Sequence, residues 1–114
     1  METISILKVA KLGDGRLAIF PATPKAMYQH IYREAAGVYW DNSLGCFHST
    51  VPRQWTSQDW YRQIISVVRS GVGIRLRLSP STAFDGCEQN FSDDIVVADA
   101  DVQKWIDDGC PPRP

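Results

Sequence analysis

The stretch Ser57-Gln58-Asp59-Trp60-Tyr61-Arg62-Gln63-Ile64-Ile65-Ser66-Val67-Val68-Arg69-Ser70-Gly71-Val72-Gly73-Ile74-Arg75-Leu76-Arg77-Leu78 changes its hydrophobic period part-way along. Up to residue 70, Trp60, Tyr61, Ile64, Ile65, Val67 and Val68 form one broad apolar stripe. Gln58, Asp59, Arg62, Gln63, Ser66 and Arg69 fall opposite it, which is the pattern of an amphipathic helix. Thr56 or Ser57 caps that helix, Asp59 sits in the first turn where the helix dipole favours an acid, and Gly71 is the expected stop. From Ile74 the period is two. Ile74, Leu76 and Leu78 alternate with Arg75 and Arg77, predicting a strand with one buried and one basic face.

Upstream, β-branched and alternating residues over 3–9 predict a strand. Gly13-Asp14-Gly15 supplies the positive φ of a tight hairpin, and Leu17 and Ile19 continue in a second strand that ends at Pro21. Thr23-Pro24 reads as an N-cap followed by proline at the first helical position, predicting a helix over about 24–35. The alternation of Tyr28, His30 and Tyr32 leaves a strand open as the alternative. Val38-Tyr39-Trp40 and Cys46-Phe47-His48 flank the loop 41–45 as a second hairpin, which Pro52 ends. Downstream, 79–94 reads as a Ser/Pro/Asp/Gly loop near the upper length for a structureless connection. Ile95-Val96-Val97 then reads as a last strand. A short helix follows, capped by Asp99 or Asp101, with Val102, Trp105 and Ile106 inward and Gly109 as its stop.

The order ββ-α-ββ-α-β-β-α predicts an α+β fold: a mainly antiparallel sheet of five to six strands with two to three helices packed on one face. One domain is expected over residues 1–110, with 111–114 an irregular tail. The length of 114 residues suits one core. The 44% hydrophobic and 22% charged content excludes a disordered chain. Three cysteines, an odd number without metal-knuckle spacing, point to a reduced, cytoplasmic setting. The N-terminus lacks a basic region of signal type, and no apolar run is long enough for a membrane span. Charge is uneven. Residues 1–78 carry ten basic and five acidic residues, net +5, and residues 79–114 carry two and eight, net −6, giving the chain's −1. The economical reading folds the acidic end against the basic part of the same domain. Asp107 and Asp108 sit at a helix C-terminus that disfavours acids, a mismatch that points to an interaction role or a nearby basic partner, with capping and solvation the commoner explanation.

Cys46 and His48 lie two apart on a strand and so share a face, and His30 or Cys87 would complete a metal site; but zinc needs three or four ligands, no second local pair exists, and no oxyanion-hole elbow surrounds the thiol. No phosphate-binding loop is present. No catalytic residue, cofactor or metal is therefore expected. Interfaces favour Trp, Tyr and Arg, and residues 53–62 are dense in them. Arg53, Trp55, Arg62, Arg75 and Arg77 are the candidate interaction residues, for a protein partner or for self-association as a homodimer. Tyr39, Trp40 and His48 are candidate pocket residues for the alternative, a small-molecule binder or enzyme with a cleft under the 79–94 loop. Nucleic-acid binding through the arginine strand ranks behind both.

The block Tyr28-Gln29-His30-Ile31-Tyr32-Arg33-Glu34-Ala35-Ala36-Gly37-Val38-Tyr39-Trp40 resembles short bacterial proteins found among mobile integron gene cassettes. So do Cys46-Phe47-His48-Ser49-Thr50, Trp60-Tyr61-Arg62-Gln63-Ile64 and Asp14-Gly15-Arg16-Leu17. The resemblance covers about residues 6–84. It implies a cytoplasmic accessory protein encoded on mobile DNA, and it carries over no site residue.

Overall fold

The computed structural model describes residues 2–33, 37–50, 55–86 and 90–110. Strand β1 (Glu2–Lys11) turns through Gly13–Gly15 into β2 (Leu17–Pro21), as the sequence predicts. Gly15 has φ +89°, and the turn is closed by the Leu12 amide donating to the Arg16 carbonyl at 2.8 Å. The pairing register shifts between Ile6 and Lys8. Such a bulge moves a strand's later side chains to the opposite parity. Ile4 and Ile6 therefore face the main core together with Val9, and Leu7 is left 58% exposed.

The expected helix over 24–35 is corrected. A single 3₁₀ turn spans Ala26–His30, followed by the two-residue strand β3 (Tyr32–Arg33). Tyr28 and Ile31 are both buried, three apart, so one tight turn places the apolar pair without a longer helix. The open alternative of a strand holds at Tyr32; residues 34–36 lie outside the described residues. Strands β4 (Val38–Asp41) and β5 (Cys46–Ser49) form the second hairpin in register, Tyr39 opposite His48 and Trp40 opposite Phe47. Pro52 lies outside the described residues.

Helix α1 (Ser57–Val72) is closed by a capping box: the Asp59 amide donates to Thr56 Oγ1, and the Thr56 amide donates to the Asp59 carboxylate. Its stop is Gly73, at φ +71°, rather than Gly71. Gly71 belongs to the last turn and packs against Ile31, whose Cδ1 would stand 2.8 Å from an added Cβ. Strand β6 (Ile74–Arg77) follows, with Ile74 and Leu76 inward.

The segment read as a loop and a strand is different. Ala83–Asp85 forms β7, and Phe91–Asp107 is one helix, α2. Ile95 is buried, while Val96 and Val97 are 51% and 55% exposed. Phe91, Ile95, Ala98, Val102 and Ile106 recur at helical spacing and all lie in the core. The β-branched run concealed that stripe, and Asn90 at φ +64°, not Asp99 or Asp101, precedes the helix. Gly109, at φ +87°, follows its end as expected.

The described strands form one seven-stranded sheet in the order β3-β4-β5-β2-β1-β6, with β7 also on β1. Four ladders are antiparallel, and β6 and β7 run parallel to β1. β6 and β7 lie end to end along one edge of β1, because β2 holds the other. This is the α+β architecture, with α1 and α2 on one face. Its radius of gyration of 12.9 Å is the size of one compact unit of this length, about 13 Å. On the opposite face, Ala10, Ala18 and Cys46 are buried beneath Leu12 and Phe20.

Candidate functional site

Arg75 and Arg77 alternate with the inward Ile74 and Leu76 on β6, whereas Arg62 lies on α1. Arg75 wraps over the β6 edge. Its Nε donates to Gln103 Oε1 at 2.6 Å, and a terminal nitrogen pairs with Asp107 Oδ1 at 2.8 Å. Gln103 Nε2 in turn donates to the Leu76 carbonyl at 2.7 Å and to Asp99 Oδ1 at 3.1 Å, which covers part of the sheet's outer edge. Arg62 pairs with Asp101 at 2.9 Å and with Asp59 at 3.5 Å. The Tyr61 hydroxyl donates to Asp99 at 2.7 Å, and burial, then the Asp99 charge, hold that phenol protonated. The acidic end thus folds onto the basic part of its own chain, and Asp107 has its basic neighbour. Arg77 is exposed, and Arg53 lies outside the described residues. Gln103 was not singled out from the sequence. Its signal is the spacing Asp99, Gln103, Asp107, one helical row that becomes visible only when 91–107 is read as a helix.

Trp55 stands at the other end of α1 and is 48% exposed, whereas Trp60 is buried and Trp40 and Trp105 are half-buried. Its ring packs on that of Trp60, with centroids 4.6 Å apart and planes tilted by 49°. Trp60 has its own backstop: a Cβ at Gly37 would lie 2.7 Å from its Cη2, so glycine makes room for the indole. Trp55, Asp59, Arg62 and Gln63 line an open cleft of about 320 Å³. Trp55 precedes α1 by two positions, and Asp59, Arg62 and Gln63 follow it on the first turns of the helix at offsets of four, seven and eight. Asp59, read from the sequence as a first-turn acid favoured by the helix dipole, also pairs with Arg62. The cleft therefore offers an indole face and a carboxylate beside a guanidinium already neutralised by two acids. A second open cleft, about 440 Å³, is lined by Lys11, Thr56, Ser57, Gln58 and Asp94. Among the described residues of the segment 79–94, Asp94 alone borders either cleft.

The three pocket residues divide between the faces. Trp40 packs with Tyr28 and Phe47 on the helix side, with ring centroids 4.9 and 4.8 Å away. Tyr39 and His48 stack on the opposite face at 5.6 Å. His48 Nδ1 lies 3.0 Å from the Ser49 carbonyl, an acceptor, so Nδ1 carries the proton. Nε2 then lies 3.9 Å from Asp41 Oδ2, while Asp41 Oδ1 accepts the Ser43 and Leu44 amides at 2.9 Å and holds the turn. Cys46, on the same face, has its thiol pushed up to about 11 by burial and then by Asp41. A protonated, buried thiol is no nucleophile at neutral pH. Among the described residues, no group of three or more His, Cys, Asp or Glu gathers to hold a metal, and no helix is long and apolar enough to cross a membrane.

A family profile described as Integron Cassette Protein Hfx_Cass5 matches residues 4–82. The chain belongs to the Hfx_Cass5 integron cassette protein family. The matched stretch takes in Tyr39, Trp40, His48, Trp55, Arg62, Arg75 and Arg77 and stops before α2. A solved structure from the mobile metagenome of North West Arm Sewage Outfall, titled Integron Cassette Protein Hfx_Cass5, is 30% identical. The alignment covers 88% of this chain and 98% of that one, with a TM-score of 0.41. No curated protein matches the chain.

Proposed function

We propose that this Hfx_Cass5 family member is a cytoplasmic accessory protein that acts by binding another protein chain, and that the Trp55 end of α1 is its contact. The observation that carries the reading is an indole left 48% exposed yet braced against a buried Trp60. A large apolar group held rigid at the surface loses little entropy on binding, and Trp and Arg dominate the binding energy of interfaces. Arg62 is oriented beside it by Asp59 and Asp101. Arg75 is engaged with α2, and Trp55 and Arg62 are the two candidates that one cleft brings together, as the core of the contact. The free thiols of Cys46 and Cys110 accord with a reducing compartment.

Affinity capture from a lysate of a cassette-bearing bacterium tests this, with the wild type, Trp55→Ala and Lys104→Ala as baits. A specific protein should be retained by the wild type and Lys104→Ala and be lost with Trp55→Ala. Loss of a hot-spot Trp weakens binding by about 30-fold or more, while thermal unfolding should stay close to the wild type. Equal capture by all three baits would overturn the Trp55 assignment.

A further inference from the structure

We infer that the Trp55 cleft receives the segment Pro111-Pro112-Arg113-Pro114 of a second copy of the chain. The inference rests on the reading of Trp55 as a protein contact and names its occupant. Residues 111–114 lie outside the described residues, so the argument uses their sequence and the place from which they leave. Proline-rich segments dock on aromatic-lined grooves because their backbone is already restricted, and little entropy is lost. At about 320 Å³ the cleft falls at the lower end of ligand sites, roughly 300–1,000 Å³, a size for a few compact side chains rather than a folded surface.

Charge agrees. Around the cleft, Arg62 faces two carboxylates, Asp59 and Asp101, and the Asp59 side chain remains 46% exposed. A guanidinium suits such a site, both against the carboxylate and over an indole face. Arg113 is one of only two basic residues after position 78 and stands between prolines.

The geometry makes the contact intermolecular. Asp94 lines a cleft with Ser57 and Gln58, Asp99 meets Tyr61, and Asp101 meets Arg62, so α1 and α2 run parallel. The tail leaves from the far end, where Asp107 meets Arg75 just beyond α1. From the level of Asp94 to Cys110, α2 advances by about 24 Å, whereas four extended residues span at most about 14 Å. A chain's own tail falls short of its own Trp55. Because the contact joins two different surfaces, two copies can exchange tails and close, or a row of copies can grow.

The test uses the full chain under reducing conditions, with light scattering on a sizing column over a concentration series. The wild type should rise from the monomer mass of 12.8 kDa towards a multiple of it. Trp55→Ser and Arg113→Glu should each weaken association by about tenfold or more, with far-UV circular dichroism unchanged. An equimolar mixture of the two variants should regain association, because one partner keeps an intact cleft and the other an intact tail. Association lost with Trp55→Ser but kept with Arg113→Glu would overturn the tail as occupant and leave the Trp55 contact standing. Association unaffected by either substitution would overturn both. A wild type that stays monomeric throughout would overturn the self-contact alone.

Discussion

Cys46 shows how one position changes meaning between chain and fold. Beside His48 in sequence it invites a nucleophile or ligand reading, which the missing elbow and the missing second ligand pair already argue against. In the fold its side chain lies beneath Phe20 and Leu12, and burial raises its titration to about 11 from an ordinary 9.0. The unfolded chain ionises this thiol first, so between about pH 9 and 11 the folded state holds more protons. Stability from this group is complete below pH 9 and is lost as pH rises towards 11. Tyr28, raised by burial to about 12 from 10.0, extends the same loss upward. Urea midpoints should therefore be level from pH 7 to 9 and fall above that. At pH 8, iodoacetamide should leave Cys46 unmodified in the native protein and alkylate it in urea, as read by peptide mass spectrometry. Rapid native alkylation would contradict the buried, protonated thiol.

Among the elements, α2 departs most from its sequence reading, and its test is a pattern of substitutions. Ile95 is fully buried, so Ile95→Ala should cost about 2–5 kcal/mol through lost transfer energy and a cavity. Val97 is 55% exposed on a helix, so Val97→Ala should change stability by less than about 0.5 kcal/mol, with a small gain from helix propensity. In a strand, residues 95 and 97 would share a face, and both substitutions would be costly. Chemical denaturation of the two variants separates these cases. The 3₁₀ turn at 26–30 illustrates the same competition, because burying Tyr28 and Ile31 outweighed the N-cap signal at Thr23-Pro24.

Across the whole molecule, two ion pairs join the basic first part to the acidic last part and help to dock α2. The contacts differ in weight. The Arg75 side chain is 16% exposed and makes a 2.6 Å bond to Gln103 as well as its pair with Asp107. Arg62 joins Asp101, which is 61% exposed. Arg75→Ala should therefore cost about 1–3 kcal/mol, since it leaves Gln103 Oε1 without its donor. Arg62→Ala should cost less than about 1 kcal/mol, and 1 M salt should shrink its effect further. Equal costs for the two would show that charge alone, not the hydrogen-bonded edge, fastens α2.

The sequence by itself determined the α+β class, both hairpins, the capped helix α1 and the strand β6. Each rests on a local period of 2 or 3.6 bounded by turn or cap residues, and such signals act within a few neighbours. It also pointed to the pairing of opposite charges and to Trp55 and Arg62 as surface candidates. Tertiary structure alone decided that 91–107 is a helix, because only packing distinguishes the buried Ile95 from the exposed Val96 and Val97. Strand alternation, already implicit in the predicted hairpin, sends Trp40 to one face and Tyr39 and His48 to the other. Tertiary structure also occupied Arg75 with Gln103 and Asp107, leaving the Trp55 cleft as the candidate contact. The docking of Arg75 depends on residues 28 positions apart being brought together, as Arg75 is to Gln103, and no local pattern records which distant partner a side chain will meet.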